Sequence, residues 1–221
     1  IFTDPPYNVN YKGSNGLTIE NDNKEDTAFY QFLYDAFFNY TQVTKAGSAI
    51  YVCHADLEGL NFRKAFKDSG YQLRSTIIWN KNALVMGRAD YHWKHEPILY
   101  GWKEGAKHNW HGDRSQSTVW DISKPSVNDN HPTMKPIELV AKAINNSSKT
   151  GDTVLDLFLG SGSTLIACEQ TDRTCYGMEL DPKYVDVIRK RYAKFIQPDN
   201  QLPDNWEELT PEISTGTAQN G

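Results

Sequence analysis

Cysteine is scarce: the 221 residues hold three, Cys53, Cys168 and Cys175, in apolar surroundings and without a Cys-x-x-Cys spacing. An odd, unclustered set of this kind excludes a disulfide-stapled scaffold and reads as buried free thiols in a reducing cytoplasm. Long hydrophobic runs are also missing, since none approaches the roughly 20 residues that a bilayer-spanning helix needs. The start, Ile1-Phe2-Thr3-Asp4, has no basic region, no cleavable apolar segment and no initiator Met. It is not a signal peptide, and it opens in mid-strand, as a fragment would. His92 and His95 would need a helix to share a metal, but their neighbours read as strand or loop, so no metal site is expected. The stretch Ile196 to Gly221 lacks any Lys or Arg and carries Asp199, Asp204, Glu207, Glu208 and Glu212. Those five acids account for the whole net charge of −5, leaving residues 1–195 neutral and free to present a basic groove. The net acidity therefore does not exclude a nucleic-acid partner.

What is present suits one soluble domain, with 38% hydrophobic and 23% charged residues. Pro5-Pro6 stops an opening strand, because neither residue can donate to a ladder. Residues 8–26 read as a polar loop. Apolar residues from Ala28 to Val43 then recur at three and four, predicting a long helix that Gly47 terminates. Ala49–Cys53 is an apolar strand, Leu57–Asp68 a helix and Ser75–Trp79 a strand. Between Asn80 and Asn130 the pattern loosens, apart from Pro97–Tyr100 and Thr118–Trp120, and mixes Arg, Lys, His and Trp. Regularity returns with Pro136 as a first helical residue. Strand Thr153–Leu157, a glycine turn, helix Ser163–Gln170, a strand ending at Met178-Glu179, and a helix capped by Asp181 follow. Strands alternating with helices predict an α/β fold, a mostly parallel sheet with helices on both faces. Residues 196–221 read as a disordered acidic tail that Trp206 could dock locally.

Two segments carry chemistry. In Asp156-Leu157-Phe158-Leu159-Gly160-Ser161-Gly162-Ser163-Thr164 a strand runs through a Gly-x-Gly turn into a helix, letting backbone approach a ligand at the strand's carboxyl end. Glu179 closes the next strand, placed to accept from a ribose diol. Leu165 stands where a dinucleotide fingerprint needs a third Gly or Ala. The second segment, Asp4-Pro5-Pro6-Tyr7, also ends a strand. An amino group conjugated to a ring is a poor nucleophile because its lone pair is delocalised. The Asp4 carboxylate and the Pro5 carbonyl can take its two hydrogens and free that lone pair toward an incoming methyl group. Tyr7 offers a face for a planar base. Each segment alone is compatible with a bare turn; their company is not.

Together with His131-Pro132-Thr133-Met134-Lys135-Pro136, these segments resemble three signatures of the DNA amino-methyltransferases. The amine motif comes first and the cofactor glycines last, similar to that family's β group with its circularly permuted order. Ile78–Lys81 and His95–Tyr100 resemble further strands of it, and the likeness covers roughly residues 1–195. It implies a Rossmann-like methyltransferase fold and S-adenosyl-L-methionine as cofactor. Asp4, Pro5, Pro6 and Tyr7 would be catalytic. Cofactor contacts are implied at Thr3, Asp4, Thr133, Lys135, Pro136, Asp156, Phe158, Gly160, Ser161, Gly162, Ser163, Thr164, Glu179 and Leu180. Among these, Thr133–Pro136 would hold the methionyl carboxylate and Glu179 the ribose. Residues 82–130 would read sequence in double-stranded DNA.

The resemblance is compatible with a homodimer, with a restriction partner and with an upstream domain. Part of the fold, bearing an acidic residue at the cofactor's adenine, would precede Ile1. An Asp at the first position favours adenine N6 as the target, with cytosine N4 as the alternative. A protein glutamine methyltransferase would start with Asn and place its glycines first. A catalytically dead DNA-binding module would be expected to lose Asp4 or the glycines.

Overall fold

Ala49–Cys53 is apolar at every position, and the strand it forms is buried on both faces of a sheet. Around it the computed structural model describes residues 1–11, 19, 21–86, 90–124 and 134–210. The elements are β1 (Phe2–Thr3), α1 (Asp26–Val43), β2 (Ala49–Cys53), α2 (Gly59–Asp68), β3 (Tyr71–Val85), β4 (Trp93–Lys103), β5 (Val119–Asp121), α3 (Ile137–Ser147), β6 (Thr153–Asp156), α4 (Ser163–Gln170), β7 (Thr174–Gly177) and α5 (Pro182–Phe195). One sheet runs β1-β2-β4-β3-β5, and β6 pairs with β7 in a second.

The α/β class, the helices on both faces and a mostly parallel sheet match the sequence reading, with β4 as the one reversed strand that makes the sheet mixed. β1 and β2 are parallel, as are β3 and β5, and as are β6 and β7. β4 runs antiparallel to both β2 and β3. The cause is the short link from β3 to β4, which permits only a hairpin return, since a parallel partner needs a crossover of a dozen or more residues. Both hairpin strands exceed the stretches predicted for them, because polar residues such as Asn80, Lys81 and His95 hide their continuation. Smaller shifts occur at helix starts and ends. Asp56–Glu58 forms a 3₁₀ turn before α2. Pro136 is the cap residue of α3, with ψ 135°, rather than its first helical residue. α1 ends at Val43 with Thr44 as cap, and Gly47 makes the turn after it at φ +80°.

Alternation along β2 builds two cores. Tyr51 and Cys53 face Leu139, Val140 and Ala143 of α3 and Ala167 and Cys168 of α4. Ile50 and Val52 face Phe29, Leu33 and Phe37 of α1 and Phe62 and Phe66 of α2. The Tyr40 hydroxyl in α1 ties the two sheets. It donates to Thr3 Oγ1 at 2.9 Å and accepts from the Leu157 N–H at 2.6 Å. β6 therefore lies beside β1 although it comes far later in the chain, and their carboxyl ends share one rim. Asp181 caps α5 by accepting from Lys183 N at 2.9 Å, as predicted. Of the acidic tail, residues 196–210 pass through turns along α5. There the Arg189 guanidinium lies 5.1 Å from the Trp206 ring centroid, and its Nε donates to Thr210 Oγ1 at 2.9 Å. Residues 211–221 lie outside the described set.

Candidate active site

The rim shared by β1 and β6 opens into a cavity of about 230 Å³. Of the residues singled out in the sequence, Asp4, Pro5, Pro6, Tyr7, Lys135, Asp156, Phe158, Gly160, Ser161, Ser163, Thr164, Glu179 and Leu180 line it. Thr3, Pro136 and Gly162 do not. Thr3 is buried behind the rim, where it accepts from Tyr40, and Pro136 caps α3. Thr133, with His131 and Pro132, lies outside the described residues.

The glycine turn is held from three sides. Asp156 sits at the end of β6, where one carboxylate oxygen accepts from Phe158 N at 3.0 Å and the other from Thr164 Oγ1 at 2.7 Å. Burial pushes its carboxyl up to about 6, against the pull of the Thr164 hydroxyl and the Phe158 N–H. Glu179 accepts from Gly160 N at 2.8 Å and from Asp181 N at 3.0 Å, and burial raises its carboxyl too. Arg191 of α5 donates to Ser161 Oγ at 2.9 Å. Gly162 opens α4 at φ +82°, a left-handed conformation that disfavours side chains. A Cβ there would come within 3.1 Å of Ile188, so this glycine faces α5 and its constraint is the turn itself. Phe158 leans on Phe32 of α1, with centroids 5.8 Å apart.

Ser163 Oγ donates to the Lys135 carbonyl at 2.8 Å, joining the glycine turn to the segment before α3. The Lys135 side chain reaches Asp4 rather than open cavity. Its ammonium lies 2.9 Å from Asp4 Oδ2 and 3.1 Å from Glu96 Oε2, and it donates to the Tyr7 hydroxyl at 2.9 Å. Three donors thus meet three acceptors. Burial alone would lower the affinity of this ammonium for its proton, but Asp4 and Glu96 outweigh it and raise that affinity. The Tyr7 hydroxyl donates to Asp4 Oδ1 at 2.5 Å. Burial, Asp4 and Glu96 push that phenol well above its usual range, so it stays neutral. The Tyr7 ring meets the edge of Phe62 with centroids 6.3 Å apart.

Sequence reasoning did not assign Glu96 or Lys81 to the site. Glu96 is held by Lys135 and by Lys81, whose ammonium contacts Oε1. Its signal was a lone acid at the head of the apolar run Pro97–Tyr100, with the partner lysine in the facing strand. Asp22 was also missed. It lines the cavity, nearly buried, and accepts from Tyr11 N at 2.6 Å.

Residues 1–190 match the family model described as DNA methylase, with N6 and N4 in its name. Type II methyltransferase M.Cfr9I of Citrobacter freundii is 35% identical over 150 residues, covering 62% of this chain and 50% of that protein. The DNA adenine methyltransferase YhdJ of Escherichia coli K12 is 27% identical over 226 residues, covering 86% of this chain and 74% of that protein. The chain spans about half the length of the first curated relatives it matches. Among solved structures, M1.HpyAVI in complex with SAM superposes with a TM-score of 0.67 at 23% identity, covering 86% of each chain. The cytosine-N4-specific PvuII DNA methyltransferase gives 0.73 at 16% identity, covering 94% of this chain and 82% of that one. At such identities these two likenesses establish the fold.

Proposed function

The chain belongs to the N6/N4 DNA methylase family, and we propose that it transfers a methyl group from S-adenosylmethionine to adenine N6 in a base turned out of duplex DNA. The observation that carries this reading is the meeting of the Asp4–Tyr7 segment and the glycine turn in one cavity. The residues fit the cofactor: Phe158 and Leu180 give apolar walls, and Glu179 keeps lone pairs for a ribose diol beyond the two N–H groups it holds. Bound there, the cofactor supplies an already activated, electrophilic methyl group. The chain's own task is to position and polarise the amine. Asp4, fixed by Tyr7 and Lys135, accepts a hydrogen of the amine, and the Pro5 carbonyl takes the other. Lys135 serves Asp4 here, in place of the cofactor-carboxylate role implied by resemblance.

Cytosine N4 is the second reading. The chemistry is identical, and the fold likeness to the PvuII enzyme favours it as much as YhdJ favours adenine. The first-position Asp tips the choice to adenine.

Within residues 82–130, β4 is an interior strand of the sheet and Trp120 is 2% exposed, so sequence reading falls to the surface parts. The end of the β3–β4 hairpin rises from the same rim as Asp4 and exposes Met86, Tyr91, Trp93 and Lys94, suited to base edges and phosphates. DNA from cells expressing the chain, digested and read by mass spectrometry, should contain N6-methyladenine. N4-methylcytosine instead selects the second reading, and neither base rejects both. Mapping the modified positions should also show altered sequence preference in Met86→Ser/Tyr91→Ser. An unchanged map with activity retained removes the hairpin from recognition.

A further inference from the structure

Glu96 has no counterpart in the chemistry described so far. It does not line the cavity, yet it holds together residues from three other segments. Lys81 of β3 contacts Oε1, and Lys135, ahead of α3, lies 3.1 Å from Oε2. The Tyr7 hydroxyl is 3.3 Å from Oε2. The two lysines are 6% and 7% exposed, so neither charge is tolerated without an anion beside it. Burial by itself would raise the Glu96 carboxyl, but Lys135 and Lys81 hold it down at about 2, so it is ionised whenever the protein is folded near neutral pH.

The Lys135 ammonium has three hydrogens, directed to Asp4, Tyr7 and Glu96. Without the Glu96 carboxylate, only the neutral Tyr7 hydroxyl competes with Asp4 for that ammonium. A carboxylate that owns the whole cation is a weaker acceptor for an incoming amine than one that shares it. We propose that Glu96 is a positioning residue: anchored by Lys81, it draws Lys135 away from Asp4 enough to leave Asp4 aimed and basic toward the target amine. This inference rests on the proposed transfer reaction.

Three variants of the full chain test it: Glu96→Gln, Lys81→Met, and the two combined. Glu96→Gln keeps an acceptor oxygen but loses the charge, and should lower kcat roughly 10- to 100-fold, the scale of a charge-assisted hydrogen bond, with KM for DNA and for cofactor within about threefold. It should also lower the melting temperature, because Lys81 is left buried without an anion. The double variant removes that orphan charge, so its melting temperature should recover toward wild type while kcat stays as low as in Glu96→Gln. A role in folding alone would give the opposite, with kcat recovering alongside stability. That outcome, or a Glu96→Gln enzyme with wild-type kcat, overturns the inference. A wild-type chain that transfers no methyl group to DNA rejects the proposed reaction itself, and this inference with it.

Discussion

Asp4→Ala should lose methyl transfer by at least about 100-fold, the scale of removing one preorganised polar partner from a reacting centre. The fold should survive it, since Lys135 keeps Glu96 and Tyr7 as partners. Affinity for S-adenosylmethionine should change little, because the glycine turn is held by Asp156, Glu179 and Arg191 without help from Asp4. Asp4→Asn presents one acceptor but no charge, and its amide can turn an NH₂ toward the amine, so it should be severely impaired as well. Single-turnover transfer beside calorimetric cofactor binding separates the two effects. An Asp4→Ala protein that methylates at the wild-type rate, or that has lost cofactor binding in equal measure, removes Asp4 from the chemical step.

Lys135→Met should have the second large effect, on stability and turnover together. It leaves the half-buried Asp4 and Glu96 carboxylates around the space of a lost cation, although Lys81 still faces Glu96. Breaking a fully buried pair costs about 3–5 kcal/mol, so the loss here should lie below that range. Denaturant unfolding measures that loss, and transfer should fall at least as far as in Glu96→Gln. The affinity for cofactor is the discriminating quantity. If Lys135 held the methionyl carboxylate, as resemblance alone implies, cofactor affinity would drop in proportion to turnover. With all three donors committed to Asp4, Tyr7 and Glu96, affinity should instead remain within a few-fold while turnover collapses. A loss of affinity as large as the loss of turnover would return Lys135 to the cofactor.

Which parts of this site were legible in the sequence follows from where their constraints act. Asp4–Tyr7 and Asp156–Thr164 announce themselves because their constraint is local. Two prolines end a strand, and two glycines at φ +56° and +82° turn another into a helix. Glu179 was readable as a carboxylate ending the next strand. Its contact with Gly160 shows it bracing the turn from across the rim. The Tyr7 hydroxyl was not readable, since the sequence suggests only a stacking face and the hydroxyl's role depends on Lys135 arriving from 128 residues away. Glu96 and Lys81 were hidden for the same reason. They meet because β3 and β4 pair with Trp79 opposite Glu96, a register no local pattern encodes. That hairpin is also where the strands were read too short, as its polar positions broke the alternation that would have marked long strands.

A labelled single turnover tests most directly that the two motifs form one methyl-transferring site. Wild-type chain and Asp4→Ala are each loaded with methyl-labelled S-adenosylmethionine, mixed with excess duplex DNA, quenched, and digested to nucleosides. The expected result is that both proteins hold label before mixing, while only the wild type delivers it to an exocyclic amine, adenine N6. Label appearing equally in both digests, or on a ring carbon, or remaining with wild-type protein in the presence of DNA, would contradict it.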